Sequence, residues 1–166
     1  MRNKIIPIAI IIIGIASVAY ASFATSLTVT GTGTATGNWA VAIQSITPTA
    51  QVGATDHVST PTFTATSATF NVDLAYPGAT SSYQVAIKNT GNISAKLSSL
   101  TDLTAINSGA PTYLTYVVSG VAQNDVLAAG ASVTATVTVT WASSASTNPS
   151  GASKGATITF NYVQNT

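Results

Sequence analysis

The sequence contains no cysteine and no glutamate, and it has few charged residues of any kind. Charged residues make up 5% of the chain, against about 25% in an average soluble domain. Without cysteine the chain has neither disulfides nor thiolate metal sites, so packing and backbone hydrogen bonds must hold the fold. Paired carboxylates, which glycoside hydrolysis requires, have no preferred pair here because the acids are scattered singly. They are Asp56, Asp73, Asp102 and Asp125.

Positive charge is equally sparse and is concentrated at the N-terminus. Arg2 and Lys4 precede the first apolar run, and the rest of the chain holds three lysines against the four aspartates. Binding to nucleic acid requires clustered lysine and arginine, so we expect no nucleic-acid partner. Low net charge also removes a barrier to self-association.

The N-terminal 21 residues have the order of a secretory signal peptide. Basic Met1–Lys4 is followed by isoleucine-rich Ile5–Ser17, and Ala19 and Ala21 form a small-x-small cleavage signal. We expect residues 1–21 to be the signal peptide, with cleavage after Ala21 or Ser22. The sequence thus predicts a secreted protein of the cell surface or the extracellular space, which meets the membrane only through this segment before cleavage.

In two alternative interpretations, the apolar N-terminal segment is retained in the mature protein. The stretch from Ile5 to Ala21 is at the short end of the roughly 17–25 residues that a membrane-spanning helix needs. In a type IV-like pilin, a peptidase would instead cut before the apolar run and leave it as a filament-core helix. The small residue that often follows the basic residue at that cut is missing at Lys4-Ile5.

Alternation of apolar and polar residues predicts strands through most of the remaining chain. In Tyr83–Lys88 the odd positions are apolar, and the turn Asn89–Asn92 leads to a second alternating run, Ile93–Leu97, which predicts a β-hairpin. The cleanest strand pattern is Ala131–Trp141. Thr47–Pro61 is predicted to be a loop because proline and glycine interrupt it. Seven or eight strands and no convincing helix after the N-terminal segment predict an all-β, antiparallel β-sandwich.

Three stretches resemble a known family. Tyr76–Leu100 has the order strand, Pro-Gly turn, strand, Asn-x-Gly turn, strand; Tyr20–Phe23 is an aromatic-small-small-Phe run; and the last strand ends in FNYVQ. These features resemble the TasA/camelysin group of secreted β-sandwich proteins with its archaeal bundling-pilus relatives. The resemblance implies a jelly-roll-like β-sandwich over residues 38–166, and a structural subunit of an extracellular filament, either a bundling pilus or a biofilm-matrix fibre.

No catalytic fingerprint accompanies this resemblance. The name camelysin carries a metallopeptidase label, but the sequence has no zinc-peptidase motif, P-loop or nucleophile elbow, so we do not transfer that activity. The single His57 beside Asp56 falls short of the ligand set that zinc needs, and the pair is better explained as solvated loop residues. We therefore expect a protein that is not an enzyme and that has no cofactor and no bound metal ion.

Residues 22–37, between the signal segment and the domain, form a candidate donor strand followed by a flexible tether. Phe23–Thr30 alternates, with Phe23, Leu27 and Val29 on one face, and the glycine-rich Gly31–Gly37 follows as a flexible tether. An extended segment with open backbone groups can complete the sheet of a neighbouring subunit. The predicted partner is therefore the chain itself, in a head-to-tail homopolymer, with neighbouring filaments as a further candidate. The alternative is an ordinary first strand within its own sandwich.

Other exposed groups suggest weaker hypotheses. A secreted adhesin or binding module would need clustered exposed aromatics, whereas Trp39, Trp141, Phe70, Phe160 and Tyr83 fall on predicted core faces. The threonine ladder from Thr134 to Thr140 could bind an ordered lattice, although threonine is also a favoured strand residue. Asn92-Ile-Ser94 is a glycosylation sequon in a predicted turn, and we expect Asn92 to carry an N-glycan.

Overall fold

A computed structural model describes residues 28–145 and 153–165. Contacts divide the chain into two units, Met1–Ala35 and Thr36–Thr166. In the first unit residues 28–35 are described, and they are exposed and form neither helix nor strand. The predicted signal peptide, its cleavage residues Ala19, Ala21 and Ser22, and the first part of the predicted donor strand lie outside the described residues. Within the described ranges, no helix has the length and apolar character needed to span a membrane.

The second unit contains eleven strands and one short helix among its described residues. In chain order they are β1 (Val41–Val52), β2 (Ala54–Asp56), β3 (Thr62–Phe63), β4 (Ala68–Thr69), β5 (Val72–Leu74), β6 (Thr80–Asn89), β7 (Ala95–Leu100), α1 (Thr104–Ser108), β8 (Leu114–Ser119), β9 (Val126–Leu127), β10 (Ser132–Trp141) and β11 (Phe160–Gln164).

The strands form antiparallel sheets. The main sheet has four strands in the order β1-β6-β10-β8, and a second sheet has three in the order β11-β7-β9. Two small ribbons, β2-β5 and β3-β4, complete the unit. Every strand pair is antiparallel, so the all-β, antiparallel prediction is confirmed.

The core lies on one face of the main sheet because its two central strands alternate. Along β6, Tyr83, Val85 and Ile87 are buried, and Ala135 and Val137 of β10 lie on the same face. The other face carries the threonine ladder. There the hydroxyl of Thr140 pairs with that of Thr80 at 3.2 Å, and that of Thr138 pairs with Ser82 at 2.9 Å. The outer hydroxyls thus bond across strands, as expected for ordinary strand residues.

The predicted hairpin is wrong. β6 pairs with β1 and β10, whereas β7 pairs with β11 and β9, so Asn89–Asn92 connects the two sheets instead of joining two paired strands. Alternation of apolar and polar residues indicates that a segment is a half-buried strand. It does not indicate which strand is the partner, because every strand of a sandwich has the same pattern. The turn prediction holds, and only the pairing differs.

The predicted loop Thr47–Pro61 is also partly wrong, since β1 continues to Val52 and β2 follows at Ala54–Asp56. β1 is an edge strand, and its register shifts between Pro48 and Ala50. A proline that cannot donate a ladder hydrogen bond is tolerated at such an edge or bulge. A second difference is the short helix α1, since no helix was predicted after the N-terminal segment.

Candidate functional site

An open cleft runs between the inner face of the main sheet and two extended segments that only partly cover it. Its volume is about 1350 Å³, and residues 65–74 and 153–162 form the wall opposite the sheet. We call it the core cleft. Its sheet side is largely aliphatic, with Val85, Ile87, Val137 and Val139 among its residues. Its opposite wall presents Phe70, Val72, Ile158 and Phe160. The cleft therefore has apolar residues on both sides, with polar residues such as Asn71, Asp73 and Lys154 among them on the wall opposite the sheet.

One wall of the core cleft has an open backbone edge. β11 pairs with β7 on one side and is the edge strand of its sheet. Just before it, residues 155–158 make no backbone hydrogen bond with any other described residue. Extended backbone with unpaired N–H and C=O groups is a template on which a further strand can be added. The core cleft thus combines apolar side-chain sites with a backbone edge.

The start of this open segment is anchored by a lysine. The ammonium of Lys154 donates to the backbone oxygens of Asn107, at 3.0 Å, and Leu114, at 2.8 Å. The hydroxyl of Tyr116 donates to the backbone oxygen of Lys154. Burial raises the pKa of Tyr116, so this hydroxyl remains a donor at neutral pH. These contacts tie the segment to β8 without pairing its residues 155–158.

Aromatic side chains from both sides line the core cleft. Phe70 stacks on Tyr83 with the ring centroids 4.3 Å apart, and Tyr113 stacks on Trp141 at 5.7 Å. Tyr83 and Trp141 are buried, as predicted. Trp39 differs from the prediction, since 42% of it is exposed at the margin of the cleft. It precedes the first residue of β1, where no neighbouring strand covers it.

Asp56 and His57, interpreted from the sequence as solvated loop residues, have separate side-chain partners in the structure. Asp56 lies in β2 and accepts a hydrogen bond from the buried hydroxyl of Tyr83. His57 instead pairs through Nε2 with Oδ1 of Asp73, at 2.8 Å, and both side chains are partly exposed. In residues 28–145 and 153–165 no three metal-ligating side chains converge. Asp56 and His57 have separate partners because neighbouring residues of an extended chain point to opposite faces.

Because of Tyr83, we expect the free energy of unfolding to fall at alkaline pH. Burial, and next the hydrogen bond to Asp56, raise the pKa of Tyr83 from 10.0 to about 12. Since the folded pKa lies above the unfolded one, this stabilisation is complete below about pH 10 and is lost as the pH rises towards 12. At about 1.4 kcal/mol per pKa unit, we expect it to be of the order of 2–3 kcal/mol. Urea unfolding across this range should show a falling free energy of unfolding.

The matched variant is Tyr83→Phe. It should lose about 1 kcal/mol at neutral pH with the hydrogen bond, and its stability should fall less steeply above pH 10. A slope will persist, because burial also raises the pKa of Tyr116 and Tyr162. Identical slopes in the two proteins would show that Tyr83 does not titrate in this way.

One residue that fixes the turn between β6 and β7, Asn89, was not identified from the sequence. Its side chain is fully buried, and Nδ2 donates to the backbone oxygens of Ile93, at 2.8 Å, and Leu127, at 3.1 Å. Its Oδ1 accepts from the backbone N–H of Gly91 at 3.0 Å. A signal was present, because Asn89 continues the inward parity of Tyr83 and a polar residue at an inward position needs buried partners. Asn92, the predicted glycosylation residue, is exposed in the turn that Asn89 holds.

Of the predicted donor-strand residues, only Val29 is described. It is 94% exposed. Phe23 and Leu27 lie outside the described residues. An isolated valine with this exposure contributes almost no burial to its own chain, which leaves it available to a partner.

Comparisons with protein-family models, characterised proteins and solved structures found no match to this chain. The resemblance to the TasA/camelysin group accordingly stays a prediction based on the three stretches quoted above.

Proposed function

We propose that this protein is a structural subunit of an extracellular filament, in which Phe23–Thr30 of one subunit fills the core cleft of the next. The observation that carries the proposal is the core cleft itself, an apolar opening of about 1350 Å³ beside the unpaired edge of β11. We further infer a jelly-roll-like sandwich in which the strand position beside β11 is supplied by a neighbour. In this function the protein has no catalytic role and needs no cofactor.

The dimensions of the donor strand suit the acceptor. At about 3.3 Å per residue, Phe23–Thr30 extends over roughly 26 Å, and residues 155–164 offer an edge of roughly 33 Å. With its backbone paired to that edge, the strand directs alternate side chains into the core cleft. Phe23, Leu27 and Val29 share that face, and burying each contributes about 1.5–3 kcal/mol. Of the two threonines between Phe23 and Val29, Thr25 shares this face and Thr28 faces away.

The geometry of the exchange makes the assembly open-ended. The donor segment and the core cleft are different surfaces of one chain, so the contact is heterologous and does not close on itself as a two-fold dimer does. Each subunit gives one strand and receives one. A nearly uncharged chain offers little electrostatic resistance to such stacking.

Deleting residues 23–30 tests the proposal. We expect the mature chain to form filaments visible by electron microscopy, and the deleted chain to form none. A synthetic peptide of residues 22–31 should bind the deleted chain and raise its melting temperature, because it supplies the missing strand in trans.

Three results would contradict the proposal. Normal filaments from the deleted chain would exclude the donor strand, and a subunit mass that begins at Ile5 would favour the type IV-like pilin. A mature chain that stays monomeric at high concentration would favour the secreted adhesin or binding module, whose ligand would then occupy the core cleft.

A further inference from the structure

The turn between β6 and β7 is hydrogen-bonded to residues 38–40, which lead into β1. The backbone N–H of Asn92 donates to the oxygen of Asn38 at 2.9 Å. The N–H groups of Thr90 and Gly91 both donate to the oxygen of Ala40, at 2.8 and 3.2 Å. These bonds extend the β1–β6 ladder beyond its last register pair, Val41 with Asn89.

The side chain of Asn92 adds to these backbone contacts. Its Oδ1 accepts from the N–H of Asn38 at 2.7 Å, and its Nδ2 donates to the oxygen of Thr36 at 3.1 Å. A carboxamide carries an acceptor and a donor side by side, so it can bond an N–H and a C=O of the same backbone at once. Asn92 therefore holds residues 36–38 at two further points, in addition to the bond from its backbone N–H to the oxygen of Asn38.

The turn is built for this close approach. Buried Asn89 fixes it from below through its bonds to Ile93, Leu127 and Gly91. A Cβ on Gly91 would lie 2.3 Å from the oxygen of Asn38 and 2.8 Å from the nitrogen of Ala40. Both are backbone atoms that cannot turn aside, so only glycine permits the contact. The Asn-x-Gly-Asn sequence of this turn thus reverses the chain and also permits the close contact with Asn38 and Ala40.

We propose that Asn92 is a latch that fixes the root of the N-terminal tether on the surface of the domain. Residues 36–38 are the last part of the tether before Ala40, and both Asn38 and Asn92 are exposed. A hydrogen-bonded pair at an exposed site contributes little to global stability, but it sets the point from which the glycine-rich segment departs. This role rests on the proposed function: a fixed departure point gives every subunit the same offset from the neighbour that receives its strand. Asn92 is a positioning residue and does not touch the core cleft.

The latch and an N-glycan on Asn92 compete for the same atom. A glycan would be attached to Nδ2, the nitrogen that lies 3.1 Å from the oxygen of Thr36. The sugar would have to occupy the space beside the tether root. In the latched protein Asn92 is therefore unmodified, and the glycan expected from the sequon is the alternative use of this side chain.

Two substitutions separate these uses. Asn92→Ala removes both the carboxamide and the sequon, whereas Ser94→Ala removes the sequon and leaves the carboxamide in place. We would measure amide hydrogen exchange by NMR on full-length mature chains kept monomeric by Val29→Asp. The amide of Asn38 should exchange on the order of tenfold faster in Asn92→Ala, because one hydrogen bond is worth about a factor of ten or slightly less. In Ser94→Ala it should exchange as in the parent chain.

The same two substitutions are then made in the chain that polymerises. Filaments of Asn92→Ala should lose the uniform subunit spacing of the parent, as measured from electron micrographs, and those of Ser94→Ala should keep it. Equal exchange of the Asn38 amide in Asn92→Ala and the parent would overturn the latch. So would the same loss of spacing in both variants, or a mass spectrum of native protein in which Asn92 is fully glycosylated. The exchange measurement needs no filament, so a parent chain that fails to polymerise would overturn the proposed function while leaving the latch testable.

Discussion

A single aspartate at Val29 is expected to abolish filament formation, whereas an aspartate at the neighbouring Thr28 should leave it largely intact. Adjacent residues of a strand point to opposite faces, so in the proposed filament Val29 would enter the core cleft of the neighbour and Thr28 would face away. Burying an unpaired carboxylate in an apolar site costs several kcal/mol, in addition to the lost burial of valine. Since about 1.4 kcal/mol is a factor of ten, we expect the concentration needed for assembly to rise at least about 100-fold.

The control is strong because neither residue supports the subunit's own fold. Val29 is 94% exposed, and Thr28 is exposed as well. Sedimentation and electron microscopy at matched concentrations would show the difference. Equal loss of assembly in the two variants would mean that charge anywhere in the segment is sufficient, and filaments from Val29→Asp would mean that this side chain is not buried by a neighbour.

The acceptor side allows an equally sharp test with Ile158→Asp. Ile158 is half-buried, lines the core cleft and lies in the segment with the open backbone edge. A carboxylate there should prevent strand insertion for the same reason as in the donor. The adjacent Thr157 is exposed but also borders the core cleft, so Thr157→Asp tests whether a charge at the cleft margin is sufficient to block assembly. On its own, Ile158→Asp should form no filaments.

Mixing Val29→Asp with Ile158→Asp tests the donor strand and the core cleft together. Val29→Asp keeps an intact core cleft, and Ile158→Asp keeps an intact donor strand. Because the contact is head-to-tail, one exchange remains possible, so the mixture should form one-to-one dimers and then stop. Either variant added to the parent chain should shorten its filaments by capping one end. Analytical ultracentrifugation would detect the dimer, and its absence would show either that Ile158→Asp is unfolded, which circular dichroism would reveal, or that the two surfaces do not meet.

Local patterns in the sequence were enough to define β6 and β10. β10 matches the alternating stretch Ala131–Trp141 to within a residue, and the buried face of β6 is the one that Tyr83, Val85 and Ile87 predicted. These features follow from a side-chain period of two, which is a property of each segment by itself. The turn residues Asn89–Asn92 were likewise identifiable, since asparagine and glycine tolerate tight turns.

Which strand lies beside which was decided only in three dimensions. The pairing of β6 with β1 and β10 instead of β7, and the persistence of β1 through Pro48, depend on partners distant in the sequence. Asp56 bonds Tyr83 and His57 bonds Asp73 for the same reason. The buried role of Asn89 also required knowing that β7 and β9 lie next to each other.

The core cleft is the clearest case of a feature that no local pattern encodes. Ile158 and Phe160 have the alternation of an ordinary inward face, and Phe70 and Val72 have it too. Each of these segments is consistent with a closed core when it is taken alone. That they face Val85 and Val137 across an opening, beside an edge without a strand partner among the described residues, follows from the relative placement of the two sheets. The sequence by itself determined which residues are apolar and on which side of each strand they lie. The tertiary structure decided that a cleft of about 1350 Å³ stays open between these segments, because the distance between non-adjacent segments depends on the packing of the whole unit and not on the period of any one strand.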